Sequence, residues 1–166
     1  MKIIDYRFKK HIWTYLFQCL LAAFAVLLVL LILDSTHQTA IIASIGASAF
    51  IVFTAPNAFS SRVRSLLGGY MIGSVTGIGC SLLAELLDTA GTEGWGTTVI
   101  ALGAISVGIS IFLMVITDTE HPPAAGLALA FVLNTWNLKT VIVVFFAAVL
   151  LSLVKRLFHN RLKDLV

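Results

Sequence analysis

Apolar residues form six runs along the chain, and short polar segments separate them. Four of the runs are long enough to cross a bilayer, because a membrane helix needs about 20 consecutive apolar residues. The other two runs are shorter. We therefore expect six helices in the order long, short, long, long, short, long, at residues 12–33, 40–55, 66–87, 97–117, 122–134 and 140–157.

The composition places these helices in a membrane. Of the 166 residues, 59% are hydrophobic and 11% are charged, and the mean hydropathy is +1.01. The first run is too long for the apolar core of a cleaved signal peptide, so it counts as a membrane helix. We predict an all-α integral membrane bundle, with residues 1–166 as a single membrane domain and no room for a soluble regulatory domain.

The basic residues predict the orientation. With the N-terminus inside, the inner segments hold ten Lys and Arg residues and the outer segments hold only Lys139. Cytoplasmic loops are enriched in Lys and Arg, which favours a multi-pass protein of the cytoplasmic (inner) membrane with both termini cytoplasmic. Two re-entrant loops are a weaker alternative, because Arg62 and Arg64 would then face outward. Topology also explains the net charge of +3 without a nucleic-acid partner.

The repeated order of run lengths predicts two inverted three-helix repeats, at about 12–87 and 97–158. Many transporters share this arrangement. The register between the halves stays open, since either His37 pairs with His121 or Gly46 pairs with Gly126. The 13 residues of 122–134 rise only about 20 Å, less than the roughly 30 Å hydrocarbon core, so this helix begins or ends inside the membrane.

The stretch 117–126 is the densest in chemistry, with two carboxylates, a histidine and two prolines between apolar runs. Pro122 and Pro123 fit the first turn of a helix. We expect free N–H groups and the positive dipole end of that helix beside His121 and Asp118, which favours an anion. Asp118 either caps this helix or handles protons or substrate, and His121 is either a proton-linked switch or a neutral residue that fastens the loop.

Non-helical backbone at membrane depth lies only where protein buries it or a wet cavity meets it. We therefore expect an anion in a hydrated gap between the two short helices, held by their N-termini and by nearby hydroxyl groups. Serine and threonine hydroxyls also bond simply to helix carbonyls, which is the alternative for each of them. The candidate substrate-binding residues are His37, Thr39, Ser44, Gly46, Ser48, Asp118, His121, Pro122 and Pro123.

Three glycines in the third run, Gly69, Gly73 and Gly77, lie four residues apart on one helix face and predict close contact with another helix. Ala104 and Gly108 are natural candidates for the facing surface, in this chain or in a neighbouring one. Because 166 residues leave little area to enclose a cavity, we expect a homo-oligomer, either a dimer or a trimer.

Enzyme motifs are missing from the sequence. It has no H-E-x-x-H, phosphate-binding loop, G-x-S-x-G or Cys/His cluster, so we expect neither an enzyme nor a bound metal or cofactor. The runner-up interpretation is a membrane structural or regulatory subunit without transport activity. An enzyme acting on a lipid is a third and weaker one.

Three motifs together resemble one family of membrane proteins. They are Asp118-Thr119-Glu120-His121-Pro122-Pro123-Ala124, Gly46-Ala47-Ser48-Ala49, and Pro56 followed by Arg64 and Leu67-Gly68-Gly69. In this order they are similar to the HPP family, named for its His-Pro-Pro triplet, some members of which transport nitrite. The resemblance implies transport of a small inorganic anion, with nitrite first, and membrane lipid as the surroundings.

Overall fold

The computed structural model describes residues 6–31, 39–88 and 96–165. Within these ranges the chain is helical and contains no strand, which confirms the all-α prediction. Short 3₁₀ turns occur at Phe59–Ser61 and His159–Arg161. The six helices are α1 (Tyr6–Leu30), α2 (Thr39–Thr54), α3 (Val63–Asp88), α4 (Thr97–Ile116), α5 (Pro122–Leu133) and α6 (Leu138–Leu157).

The alternation of long and short helices is also confirmed. Among the described residues, four helices contain an apolar stretch long enough to cross a membrane, namely His11–Leu30, Val63–Leu87, Thr97–Ile116 and Leu138–Leu157. By contrast, α2 has 16 residues and α5 has 12. At 1.5 Å per residue they rise about 24 Å and about 18 Å, both short of a hydrocarbon core of about 30 Å.

The predicted glycine face of α3 packs against α5 of the same chain. A β-carbon at Gly77 would lie 2.6 Å from the carbonyl oxygen of Ala128, and one at Gly73 would meet the carbonyl oxygen of Ala124. The bare backbone of α3 thus lets α5 approach closely. The proposed partners were wrong, because Ala104 and Gly108 lie on an exposed face of α4 and a β-carbon at Gly108 would meet nothing within 4 Å.

The two short helices lie side by side. Ser44 Oγ donates a hydrogen bond to Pro123 O (2.5 Å), and Ser48 Oγ lies 2.8 Å from His121 Nε2. Ser48 comes later in the chain than Ser44, but it contacts the earlier of the two residues at the start of α5. The two helices therefore run antiparallel. The expectation that one anion lies in a gap held by both N-termini was therefore wrong, because antiparallel neighbours have their N-termini at opposite ends of the pair and the side chains touch directly at these two points.

The C-terminal segment folds back against the end of α2. Leu165 N donates to Thr54 O (2.8 Å), while the side-chain amide of Gln18 donates to Phe53 O and to Lys163 O (3.0 Å). Lys163 N donates in return to Gln18 Oε1 (3.1 Å). These bonds satisfy carbonyls that the end of a helix leaves without partners.

Candidate functional site

His121 is the N-cap residue of α5 and is fully buried. Its Nδ1 lies 2.7 Å from the carbonyl oxygen of Ser60, and its Nε2 lies 2.8 Å from Ser48 Oγ. A carbonyl oxygen can only accept a hydrogen bond, so Nδ1 carries a hydrogen. The ring is thereby fixed in place, and Nε2 is aimed at Ser48.

Ser48 joins His121 to a buried hydroxyl group on α3. Its Oγ lies 2.7 Å from the hydroxyl oxygen of Tyr70 and 3.0 Å from the carbonyl oxygen of Ser44. All four residues are buried. We call Ser44, Ser48, Tyr70 and His121 the crossing cluster, because they lie where α2 meets α5.

The crossing cluster lies near the N-terminal end of α3. A β-carbon at Gly69 would be 2.7 Å from His121 Cβ, so His121 lies at the level of Gly69. Gly69 is six residues into α3, which places this level about 9 Å from the start of that helix. An ionisable side chain such as His121 is costly inside a membrane bundle, and it is therefore a candidate functional site.

All three sequence motifs converge on His121. Ser48 comes from the Gly-Ala-Ser-Ala motif, the turn after Pro56 supplies the Ser60 carbonyl, and Gly69 packs against the histidine. The turn after Pro56 also bonds to α6, because Lys155 Nζ donates to Ser61 O (2.6 Å) and contacts Ser61 Oγ (2.9 Å).

Asp118 does not cap α5, so the capping alternative was wrong and a role in proton or substrate handling stays a prediction. It has a φ of 58° and lies just after α4, where Thr119 N donates to Met114 O (3.0 Å) and Asp118 N donates to Val115 O (3.3 Å). This is the left-handed residue of a Schellman motif, a position that Asp tolerates. Its carboxylate is 65% exposed and lies 3.9 Å from Arg64.

The N-terminus of α5 offers fewer N–H groups than expected. Pro122 and Pro123 occupy its first two positions and have no N–H, and Ala124 N donates to His121 O (2.9 Å). The expectation of several free backbone donors was therefore wrong. A ligand here would meet hydroxyl groups, the imidazole and the helix dipole.

Among the remaining predicted residues, Pro123 contacts the crossing cluster through its carbonyl oxygen, which accepts from Ser44 Oγ (2.5 Å). Thr39 is exposed at the start of α2, nine residues or about 14 Å along the helix from Ser48. Gly46 is half-buried, with nothing within 4 Å of where its β-carbon would be. Pro122 is exposed and Pro123 is buried. His37 lies outside the described residues.

Tyr70 is the main residue that the sequence analysis missed. It is fully buried on α3 and directly follows Gly69. A hydroxyl-bearing ring within an apolar span usually needs a partner when it is buried, and this was the signal that could have identified it.

Two cavities lie near the two ends of α5. One, of about 310 Å³, lies between α4 and α5, where Met114, Glu120 and His121 contribute to its wall. The other, of about 470 Å³, includes Glu85 and Trp136 in its wall. Trp136 Nε1 donates to Ser81 Oγ (3.0 Å) there. The crossing cluster thus lies beside the first cavity.

A comparison of the chain with models of known protein families identifies the same family as the sequence motifs. Residues 7–164 match the family described as HPP, transmembrane region. No curated protein and no solved structure gives a significant match to the chain. The family match covers nearly the whole length of the bundle and includes every residue of the crossing cluster. This protein therefore belongs to the HPP transmembrane family.

Proposed function

We propose that this protein transports a small inorganic anion across the cytoplasmic membrane, with nitrite as the first candidate. The observation that carries the proposal is the crossing cluster, in which three hydroxyl groups and an imidazole are buried where two short helices meet. Buried polar groups in a membrane bundle are expensive and are typical of solute pathways. Nitrite is chosen because of the resemblance to family members that transport it.

The donors of the crossing cluster suit a small anion. Ser48 and Tyr70 each carry one hydroxyl hydrogen, and the N-terminal dipole of α5 points toward the same place. Opening of the contact between Ser48 and His121 would give an anion access to both groups. The apolar walls around them would exclude competing water.

The family and the helix pattern support a membrane protein, and the distribution of basic residues supports cytoplasmic termini. We also propose that the two halves form an inverted repeat and that the protein is a homo-oligomer, a dimer or a trimer. The exposed small residues Ala104 and Gly108 on α4 would allow close contact with a second copy. The mass of the detergent-solubilised protein, corrected for bound detergent, tests the oligomer.

The test of transport is flux into proteoliposomes that contain the purified protein. Nitrite, nitrate, formate and chloride are supplied in turn, and protein-free vesicles give the background rate. We expect saturable flux of nitrite above that background. Folded and correctly inserted protein without saturable flux of any of the four anions would refute the proposal.

A second candidate function is a structural or regulatory membrane subunit. The observation in its favour is that Ser44, Ser48, Tyr70 and His121 bond to one another and to the main chain. Such bonds would serve only to hold the helices together. A subunit of this kind would show no saturable anion flux and would co-purify in a stable complex with a different protein.

A further inference from the structure

The hydrogen bonds of His121 determine which nitrogen can exchange a proton. Nδ1 donates to Ser60 O (2.7 Å), and this bond persists whether the ring is neutral or charged, because the carbonyl oxygen is an acceptor only. A change of protonation therefore takes place at Nε2. That atom faces Ser48 Oγ at 2.8 Å.

Ser48 can satisfy both protonation states without moving its oxygen. When the ring is neutral, the Ser48 hydroxyl donates to Nε2. When the ring is charged, Nε2 donates to Ser48 Oγ, and the hydroxyl turns to the Ser44 carbonyl oxygen, which is 3.0 Å away. Tyr70 donates to Ser48 Oγ (2.7 Å) in both states, since that oxygen has two lone pairs.

The charge on His121 would need a compensating negative charge. From α2 and α3 the ring meets the neutral groups Ser48 and Tyr70, and from α4 it has Met114 nearby. From α6, Lys155 is engaged with Ser61, next to the Ser60 carbonyl.

Two carboxylates lie on its own loop, and among the described contacts neither meets a ring nitrogen, since those two atoms face Ser60 O and Ser48 Oγ. Asp118 is 65% exposed and lies 3.9 Å from Arg64. Glu120 is half-buried in the wall of the cavity between α4 and α5. The hydroxyl groups of the crossing cluster carry no charge, so a transported anion would complete the charge balance beside a protonated ring.

We propose that His121 binds one proton at Nε2 together with each anion, so that the protein is a proton–anion symporter. The inference rests on the proposed anion transport and names the ion that is coupled to it. The proton comes from water on one side of the membrane, forms the Nε2–H bond, and returns to water on the other side. Apart from this bond, only the hydrogen of Ser48 changes its partner.

The first experiment measures protons and anions together. Proteoliposomes receive an inward nitrite gradient, a trapped pH-sensitive dye reports internal pH, and a potassium ionophore clamps the voltage. Rates in protein-free vesicles are subtracted, because the protonated acid crosses lipid unaided. We expect one proton to enter with each anion, and an opposing pH gradient to slow the flux.

The variants are His121→Gln and Ser48→Ala, with His159→Gln as the matched control on an exposed histidine. The control should keep the proton-to-anion ratio of the wild type. His121→Gln should lose the proton movement, so that any flux that remains carries charge and responds to voltage. Ser48→Ala should lower the ratio, because the charged ring loses its acceptor.

A second readout does not depend on flux. In protein labelled with ¹⁵N-histidine, the Nε2 signal of His121 should move to its protonated position when nitrite is added at constant pH, while the His159 signal should not respond. Anion flux without proton movement, or an Nε2 signal that ignores nitrite, would overturn the symport and leave the proposed transport in place. Absence of all anion flux would overturn both.

Discussion

The packing of Gly69 against His121 allows a quantitative prediction for Gly69→Ala. The new β-carbon would lie 2.7 Å from His121 Cβ and 3.2 Å from Thr119 O, whereas ordinary contact begins at 3.4 Å. The start of α5 would therefore have to retreat by about 0.7 Å, the shortfall at His121. Overpacking of this kind costs about 1–3 kcal/mol.

The same retreat would disturb the crossing cluster. The distance between His121 Nε2 and Ser48 Oγ is 2.8 Å. A retreat of about 0.7 Å directly away from Ser48 would lengthen it to about 3.5 Å, outside the normal range of a hydrogen bond. We expect a lower free energy of unfolding in an SDS titration and a lower nitrite flux per folded protein. Both follow from one displaced helix end.

Two alanine variants on the same helix separate packing from function. Gly77→Ala would place its β-carbon 2.6 Å from Ala128 O, far from the cluster, so it should lose stability with a smaller loss of flux. Gly79→Ala would meet nothing within 4 Å, and alanine favours a helix by up to about 1 kcal/mol over glycine. It should be neutral or stabilising. If Gly69→Ala matched Gly79→Ala in both measurements, the packing argument would be refuted.

Two further predictions concern Asp164 and the orientation in the membrane. Hydrogen bonds from the backbone and side chain of Asn57 hold the pKa of Asp164 below its ordinary value of 3.8. The Asp164 carboxylate therefore stabilises the fold above pH 3.8, and this stabilisation is lost as the pH falls through the lowered pKa. The difference in unfolding free energy between the wild type and Asp164→Ala should therefore narrow in acid, and a difference independent of pH would contradict this. In a protein without its native cysteines, Asn160→Cys should react with an impermeant maleimide from the cytoplasm and Thr135→Cys from outside. Reversed labelling would show the opposite orientation.

The architecture could be predicted because it depends on local signals. Apolar run length determines which helices can span the bilayer, and proline marks where a short helix begins, so α2 and α5 lie close to their expected positions. Ser48 and His121 were both candidates, and the structure brings them together.

The pairing of elements could not be predicted from local signals. A glycine face shows that another helix comes close but not which one, and α5 rather than α4 packs on Gly73 and Gly77. The capping alternative for Asp118 failed for a different reason, because the end of α4 and the start of α5 compete for the same few residues. Only three-dimensional contacts reveal that Ser60 orients His121.

The central claim is that the crossing cluster is part of an anion pathway, and paired serine variants test it most directly. Ser48→Ala removes the hydroxyl that joins His121 to Tyr70. By contrast, Ser110→Ala removes an equally buried hydroxyl whose bond in the described part of the chain stays within its own helix, to Val107 O (2.8 Å). A lost hydrogen bond that leaves a buried partner unsatisfied costs about 1–3 kcal/mol, and about 1.4 kcal/mol on the transport barrier already corresponds to tenfold in rate. The saturable nitrite flux should fall about tenfold in Ser48→Ala and stay at the wild-type level in Ser110→Ala. Equal flux in the two variants would contradict the claim.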